Sequence, residues 1–174
     1  MDKEEKKILF RDLLTEKDIA AIGDLVRSTG VFNPCEMEMA EELARETYAK
    51  GPEISGYHFI LAEMDHRIVG YACFGPITCS ENRYDLYWIV IQNDRHRSGI
   101  GKGLLAKSEQ RIAELGGVKV YVETSSLSNY EAPRLFYLRQ GYQQEAILKD
   151  YYREGDDKVI FRKNLSGENK AHRK

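Results

Sequence analysis

The sequence predicts a mixed α/β fold built around one central sheet. Segments rich in β-branched and aromatic residues, which favour strands, alternate with segments whose apolar residues recur at helical spacing. Three of the strand-like segments follow one another without a helix between them. Because no internal repeat is visible, a single domain is expected over residues 1–164, followed by a polar tail over residues 165–174 that is expected to be disordered.

Seven strands and four helices are predicted in this fold. The predicted strands cover residues 8–12, 57–64, 67–75, 84–92, 118–126, 143–152 and 158–164. The predicted helices cover residues 16–29, 36–48, 100–115 and 131–140. The second helix is expected to bury Met39, Leu43 and Tyr48, since these lie on one side and several glutamates on the other. The following "KGPEISG" is expected to be a loop because glycine and proline do not favour a helix interior.

Local signals justify the bounds of several elements. Thr15 followed by Asp18 gives a partial capping box, which favours a helix start after Thr15. Two strand-like segments meet at Asp65 and His66 with the spacing of an antiparallel hairpin. Residues 84–92 are nearly all β-branched or aromatic, which is typical of a buried central strand.

Composition argues against several classes of protein. A net charge of −2 with 31% charged residues gives no broad basic surface for nucleic acid. No apolar run approaches the ~20 residues of a membrane span, and the charged "MDKEEKKILF" lacks the apolar core of a signal peptide. Cys35, Cys73 and Cys79 have no metal-ligand spacing with the histidines, so reduced thiols, a cytoplasmic location and no metal are expected.

The stretch "NDRHRSGIGKGLL" places Gly99, Gly101 and Gly103 where a helix is predicted to begin. Each glycine inside a helix costs roughly 1 kcal/mol relative to alanine, so close approach of the backbone to a ligand is a reason for them. The stretch is not a dinucleotide fingerprint, because Leu104 stands at the third glycine position, nor a P-loop, because His96 stands at the first. A helix N-terminus with free amides still favours an anion.

Two motifs resemble those of the GNAT superfamily of acyl-CoA-dependent N-acyltransferases. "HRSGIG" (96–101) is similar to Q/R-x-x-G-x-G/A, with His96 in place of glutamine or arginine, and "APRLFYLRQGY" (132–142) is similar to A-x-x-F/L-Y-x-x-x-G-F/Y. The resemblance extends from the first strand to about residue 164. It implies a mostly antiparallel sheet with a V-shaped splay between the fourth and fifth strands, acetyl-CoA as cosubstrate and, in some members, a homodimer.

The resemblance also implies how the cosubstrate is held. Backbone amides from Arg97 to Lys102 would bind the pyrophosphate, and the strand around Ile89 and Ile91 would pair with the amides of pantetheine. The Ile91 N–H corresponds to the family's oxyanion donor. The implied cosubstrate-binding residues are Ile89, Val90, Ile91, His96, Arg97, Ser98, Gly99, Ile100, Gly101 and Lys102.

Candidate catalytic groups follow from the same resemblance. Asp85, at the head of an apolar strand, stands where some relatives carry a glutamate base, and Glu123 on the adjacent strand is the rival for this role. Tyr137 matches the tyrosine that protonates the departing thiolate. Cys73 and Cys79 have no base partner identifiable in the sequence, which favours direct attack of the amine in a ternary complex over a covalent enzyme intermediate.

The sequence thus predicts an N-acetyltransferase that acts on a primary amine of a small molecule or a peptide. The alternative is a non-catalytic acyl-CoA-binding or regulatory module on the same fold, against which Asp85 and Tyr137 weigh. An ATP-binding protein is less favoured, since neither a Walker pattern nor a set of acidic metal ligands is present. Residues 28–56 and 143–158, expected on the acceptor side, carry no motif that identifies the amine.

Overall fold

The computed structural model describes residues 7–165 and contains seven strands in one sheet. The strands are β1 Leu9–Arg11, β2 His58–Met64, β3 Arg67–Pro76, β4 Arg83–Ile91, β5 Lys119–Ser125, β6 Gln143–Arg153 and β7 Asp156–Asn164. The helices are α1 Glu16–Thr29, α2 Pro34–Lys50, α3 Pro52–Ser55, α4 Ile100–Glu114 and α5 Glu131–Arg139. In the described range no helix has the length and apolarity needed to cross a membrane.

The sheet has the strand order β1-β2-β3-β4-β5-β7-β6 and is mostly antiparallel. The pairs β1–β2, β2–β3, β5–β7 and β6–β7 run antiparallel, whereas β4–β5 is parallel. The registered β4–β5 pairing joins Arg83–Asp85 to Lys119–Tyr121 and involves only the first part of each strand. The predicted fold class is therefore confirmed, and the splay beyond this pairing stays a prediction.

The described chain comprises two compact units. The first unit contains the residues up to Gly75 together with Trp88–Ser108, and the second contains Pro76–Tyr87 together with the residues from Glu109 onward. The single domain over residues 1–164 remains a prediction. Residues 166–174 of the predicted tail lie outside the described residues.

In the first unit, α4 lies close against β3 at Gly70. A Cβ on Gly70 would lie 3.1 Å from Ile100 Cγ2 and 3.2 Å from Leu104 Cδ1. Ile100 and Leu104 are both fully buried, so the apolar side of α4 covers the sheet where β3 has no side chain. This packing fixes the first turn of α4, which contains Gly101 and Gly103 of the glycine-rich stretch.

In the second unit, β5 and β7 bury alternate side chains, as expected for paired strands with one face on the core. Val120, Val122 and Phe161 are almost fully buried. The Lys163 Nζ donates to the Glu109 carboxylate at 2.8 Å, which ties the second half of α4 to β7. The opposite face of these two strands carries the polar side chains described below.

The helical bounds agree with the sequence, but the buried side of α2 does not. The expectation that Met39 and Tyr48 are buried is wrong, since they are 45% and 48% exposed, and the helix buries Ala40 and Ala44 instead. Helices α1 and α2 pack so closely that a Cβ on Gly23 would overlap Glu41. Small residues are therefore required at this contact, and the larger apolar side chains face outward. The predicted loop over "KGPEISG" contains the short helix α3.

Candidate active site

The glycine turn, residues 96–102, connects the end of β4 to the start of α4. Arg97 and Gly99 both have positive φ, at 65° and 85°, and residues 96–99 are exposed. The first helical hydrogen bond runs from the Gly103 N–H to the Gly99 carbonyl at 2.9 Å. Three helical amides precede the Gly103 N–H in the chain, those of Ile100, Gly101 and Lys102. The helix supplies no acceptor for them.

The glycines of this stretch have different structural reasons. Gly99 needs its positive φ, and a Cβ added to it would have no atom within 4 Å, so the space beside it is open. A Cβ on Gly103 would lie 2.3 Å from Phe10 Cζ. Gly103 is therefore explained by packing against β1, whereas Gly99 leaves room beside an exposed turn.

The glycine turn has the chemistry of an anion site. Its first-turn amides carry the positive end of the helix dipole, and the exposed side chains of Arg97 and Lys102 add positive charge. The Ser98 hydroxyl donates to the Arg95 carbonyl and holds the backbone of the turn. These groups fit a pyrophosphate, because the amides, the cations and the open space at Gly99 belong to one short segment.

The end of β4 directs alternate amides to opposite edges of the strand. The Gln92 N–H donates to the Val69 carbonyl at 2.9 Å and thus faces β3. Because successive amides of an extended strand alternate in direction, the N–H groups of Ile89 and Ile91 point away from β3. This is the direction in which an added strand-like ligand would receive hydrogen bonds.

A carboxylate cluster, formed by Asp85, Glu123 and Lys158, lies in the second unit. Asp85 on β4 pairs with Tyr121 on β5, and Glu123 pairs with Ile160 on β7. Since side chains two positions apart share a face of a strand, all three members of the cluster lie on one face. Lys158 Nζ is 2.6 Å from Glu123 Oε2, and its side chain is only 10% exposed.

Asp85 is half-buried, and its surroundings raise its pKa from 3.8 to about 6. The largest cause is burial, followed by repulsion from Glu123, while the positive charge of Lys158 opposes both. Among residues 7–165, the Asp85 carboxylate makes no hydrogen bond or ion pair. A carboxylate that titrates near pH 6 and has no partner can accept a proton at neutral pH.

Two tyrosines of β6 hold the ammonium of Lys158 from another side. The β6–β7 register is irregular between Leu148 and Arg153, and Asp150 there has a φ of 51°. Lys158 Nζ lies 3.8 Å from the ring centroid of Tyr151 and 5.8 Å from that of Tyr152. Successive residues of a regular strand face opposite ways, so the irregularity is what turns both rings toward one cation.

Tyr137 lies in the aromatic core of the second unit rather than in the carboxylate cluster. Its ring centroid is 5.5 Å from that of Tyr142 and 6.2 Å from that of Phe161. The start of its helix is fixed by Arg134, which donates to the carbonyl of Ser125 at the end of β5. Burial raises the pKa of Tyr137, so the phenol is protonated at neutral pH and is a weaker acid than an exposed tyrosine.

The structure brings the predicted base, Asp85, close to its rival for that role, Glu123, and adds a residue that the sequence did not single out. In the sequence, Lys158 alternates with the apolar residues Val159 and Phe161, which are buried in the structure. This alternation was the signal that could have placed Lys158 on the face of the strand opposite the core. The predicted cosubstrate residues all belong to the first unit. Within residues 7–165 no group of three histidine, cysteine or acidic side chains converges as a metal site would require.

Known proteins that resemble this chain are acetyltransferases. A crystal structure from Desulfovibrio desulfuricans, assigned to the GNAT acetyltransferase family, is 40% identical, covers 92% of this chain and 100% of its own, and has a TM-score of 0.89. An uncharacterised N-acetyltransferase of Methanocaldococcus jannaschii is 28% identical over 74% of this chain and 86% of its own. The structure of an aminoglycoside 6′-N-acetyltransferase complexed with coenzyme A is 17% identical, covers 92% of this chain and 98% of its own, and has a TM-score of 0.75.

The family model agrees with these relatives. The model of the acetyltransferase (GNAT) domain matches residues 55–144, a segment that includes Asp85, the glycine turn and Tyr137. The structure at 17% identity shows a shared fold, whereas the family model and the Desulfovibrio desulfuricans structure show common membership. The chain therefore belongs to the GNAT family and is an acyl-CoA-dependent N-acetyltransferase.

Proposed function

We propose that this enzyme transfers the acetyl group of acetyl-CoA to a primary amine by direct attack in a ternary complex, with Asp85 as general base. The observation that carries the proposal is the half-buried, unpartnered carboxylate of Asp85, with its pKa near 6. The amine nitrogen bonds to the thioester carbonyl carbon and the C–S bond breaks. Asp85 accepts the proton that the ammonium loses before it attacks, and the coenzyme A sulfur leaves as a thiolate that takes a proton from Tyr137. The second proton, which the nitrogen loses after the attack, converts the tyrosinate back to the phenol.

Binding of acetyl-CoA is assigned to the first unit. The amides and cations of the glycine turn hold the pyrophosphate, with His96 and Ser98 at its exposed edge. The pantetheine arm pairs with the backbone of residues 89–91, and the Ile91 N–H donates to the thioester oxygen. One such donor is commonly worth about 3 kcal/mol in the transition state.

The choice of Asp85 over Glu123 rests on their different partners. An aliphatic ammonium has a pKa near 10, so a base must remove a proton before the nitrogen can attack. Glu123 is engaged by Lys158 at 2.6 Å, whereas Asp85 makes no such contact. Because aspartate is one methylene shorter than the glutamate of some relatives, a water molecule is proposed to relay the proton.

Direct attack is supported by the state of the cysteines. Cys73 is fully buried, and burial raises the pKa of its thiol, which disfavours the thiolate that nucleophilic catalysis requires. Cys35 and Cys79 are exposed and free, and neither belongs to the carboxylate cluster. A covalent acetyl-enzyme is therefore not part of the proposed route.

The acceptor is proposed to be a small-molecule or peptide amine rather than a nucleic acid or a membrane component, given the net charge of −2. The proposal places the enzyme in the cytoplasm, without a metal, as one folded domain over residues 1–164. We also propose that the enzyme forms a homodimer, which analytical ultracentrifugation would test.

The test is release of coenzyme A from acetyl-CoA in the presence of single amines. The panel contains kanamycin, spermidine, a peptide with a free N-terminal alanine and an N-terminally blocked peptide with one lysine. We expect turnover with at least one amine and its loss in Asp85→Asn. Binding of acetyl-CoA without turnover of any amine would contradict the proposal and favour the non-catalytic alternative.

A further inference from the structure

Lys158 is unusually buried for a lysine on the polar face of its strand. Its side chain is 10% exposed, and its ammonium lies between the Glu123 carboxylate at 2.6 Å and the Tyr151 ring at 3.8 Å. Burial lowers the pKa of Lys158, but the hydrogen bonds to Glu123 and Tyr151 outweigh it and raise the pKa overall, so the ammonium keeps its charge. A permanent cation is thus built into the carboxylate cluster.

We propose that Lys158 is a positioning residue that engages Glu123 and thereby leaves Asp85 as the carboxylate free to accept the proton of the amine. The inference rests on the proposed function and extends it to a residue outside the catalytic pair. Lys158 touches neither the amine nor acetyl-CoA in this scheme. It acts by binding one of two neighbouring carboxylates, so that only the other is free to accept a proton.

The geometry supports this division because the lysine contacts only one of the carboxylates. The charged groups that face Asp85 are Glu123 from β5 and Lys158 from β7. Two neighbouring carboxylates resist simultaneous ionisation, and a cation bound to one of them decides which retains the charge. Glu123 is hydrogen-bonded to the cation, and Asp85 is acted on by both charges at longer range.

The aromatic rings of β6 explain why the lysine stays in place. Without them the long side chain would have many rotamers, and fixing it would cost conformational entropy. Tyr151 and Tyr152 face the ammonium because of the irregularity in β6, and a cation over an aromatic face is favourable when desolvated. Lys158 therefore connects the irregular strand β6, through Tyr151, to Glu123 on β5.

The direct test is a pH titration of the Asp85 carboxyl carbon by NMR in aspartate-labelled protein, with the signal assigned by Asp85→Asn. In the wild type the signal is expected to titrate near pH 6. Lys158→Met removes the cation and is expected to raise this midpoint by about 1 pH unit, whereas Glu123→Gln removes the repelling charge and is expected to lower it. Lys158→Arg keeps the charge and is expected to stay closest to the wild type.

The matched control is Lys149→Met, which removes an equal charge from a lysine that is 78% exposed and pairs with Asp157. It is expected to leave the Asp85 midpoint unchanged. The acid limb of kcat/KM, measured with an amine that the wild type acetylates, is expected to move in the same order as the midpoints. A purely structural lysine would change stability without moving this limb.

The outcomes separate this inference from the proposed function. A wild-type Asp85 midpoint near pH 4, or equal midpoints for Lys158→Met and Lys149→Met, would overturn the role of Lys158 and leave acetyl transfer intact. The expected midpoints in a protein that acetylates no amine would retain the lysine's effect on Asp85 and refute the function. If Lys158→Met does not fold, Lys158→Gln removes the same charge with a polar side chain, and an Asp85 midpoint equal to that of Lys149→Met would overturn the role of Lys158.

Discussion

The glycine turn and the carboxylate cluster present different chemical groups. The glycine turn offers backbone amides from one short segment that leads from β4 into the first turn of α4. The carboxylate cluster offers side chains from three strands, and the lysine among them is almost completely buried. The turn thus depends on backbone conformation, whereas the cluster depends on strand register and burial.

This difference is expected to determine which substitutions each region tolerates. An amide donor is present whatever the side chain, so the proposed pyrophosphate contact is expected to tolerate histidine at position 96. The pKa of Asp85 depends on its neighbours, and a change at Glu123 or Lys158 alters it without touching the residue itself. Substitutions in the glycine turn are therefore expected to weaken acetyl-CoA binding when they add bulk or negative charge. Substitutions in the carboxylate cluster are expected to lower activity by removing the proton acceptor.

The largest effect is expected from Asp85→Asn. Without the general base, kcat/KM at pH 8 should fall by about 10²- to 10⁴-fold, measured by coenzyme A release. Acetyl-CoA binding, measured by calorimetry, should stay within about 3-fold of the wild type, since the glycine turn is unchanged.

Glu123→Gln is the matched control on the adjacent strand. It keeps the shape of the side chain and should retain most of the activity at pH 8, where Asp85 is ionised. Equal loss of activity in Glu123→Gln and Asp85→Asn would contradict the assignment of the base.

A smaller effect, on stability, is expected from Gly103→Ala. The added Cβ would lie 2.3 Å from Phe10 Cζ, and overpacking of this kind costs about 1–3 kcal/mol. Urea unfolding would measure the loss, and the double variant with Phe10→Leu should recover part of it. Loss of acetyl-CoA binding at unchanged stability would instead assign Gly103 to the ligand site.

Tyr137→Phe is expected to lower kcat by about 10-fold, toward the low end for a general acid because burial raises the pKa of the phenol. The ring contacts with Tyr142 and Phe161 are retained in phenylalanine, so the melting temperature should change little. Steady-state kinetics with saturating acetyl-CoA would measure the effect. An unchanged kcat would leave Tyr137 as a core residue only.

The smallest effect is a gain in stability from Asp85→Asn above pH 6. The folded protein holds the Asp85 proton up to about pH 6 and the unfolded chain only to about pH 4, so this group's contribution to stability falls as pH rises through that window. Removing the charge should add on the order of 1 kcal/mol at pH 8 after allowance for solvent screening. Thermal melts at pH 4 and pH 8 would detect it, and an equal effect at both values would contradict the raised pKa.

Local sequence signals predicted much of the fold. The helix α1 begins after the Thr15–Asp18 capping box, with the Thr15 N–H donating to the Asp18 carboxylate at 2.7 Å. The hairpin between β2 and β3 turns at Asp65 and His66, both with positive φ. These features are set by residues close in sequence, and the glycine turn belongs to the same class.

Features that depend on distant residues were not predicted. Lys158 meets Glu123 only because β5 and β7 pair in a particular register, and the two residues are far apart in sequence. The buried side of α2 depends on how closely α1 approaches, and the raised pKa of Tyr137 depends on the core around it. A single sequence carries no direct record of these contacts.

The most direct test of the central claim is a calorimetric titration with acetyl-CoA of the wild type, Gly101→Glu and the control Ala106→Glu. Gly101 is buried in the first turn of α4, while Ala106 is exposed on the same helix, so both variants add one carboxylate but only the first places it at the glycine turn. We expect micromolar binding to the wild type and to Ala106→Glu, and none to a folded Gly101→Glu. Absence of binding to the wild type, or equal binding to all three proteins, would contradict the assignment of the glycine turn to acetyl-CoA.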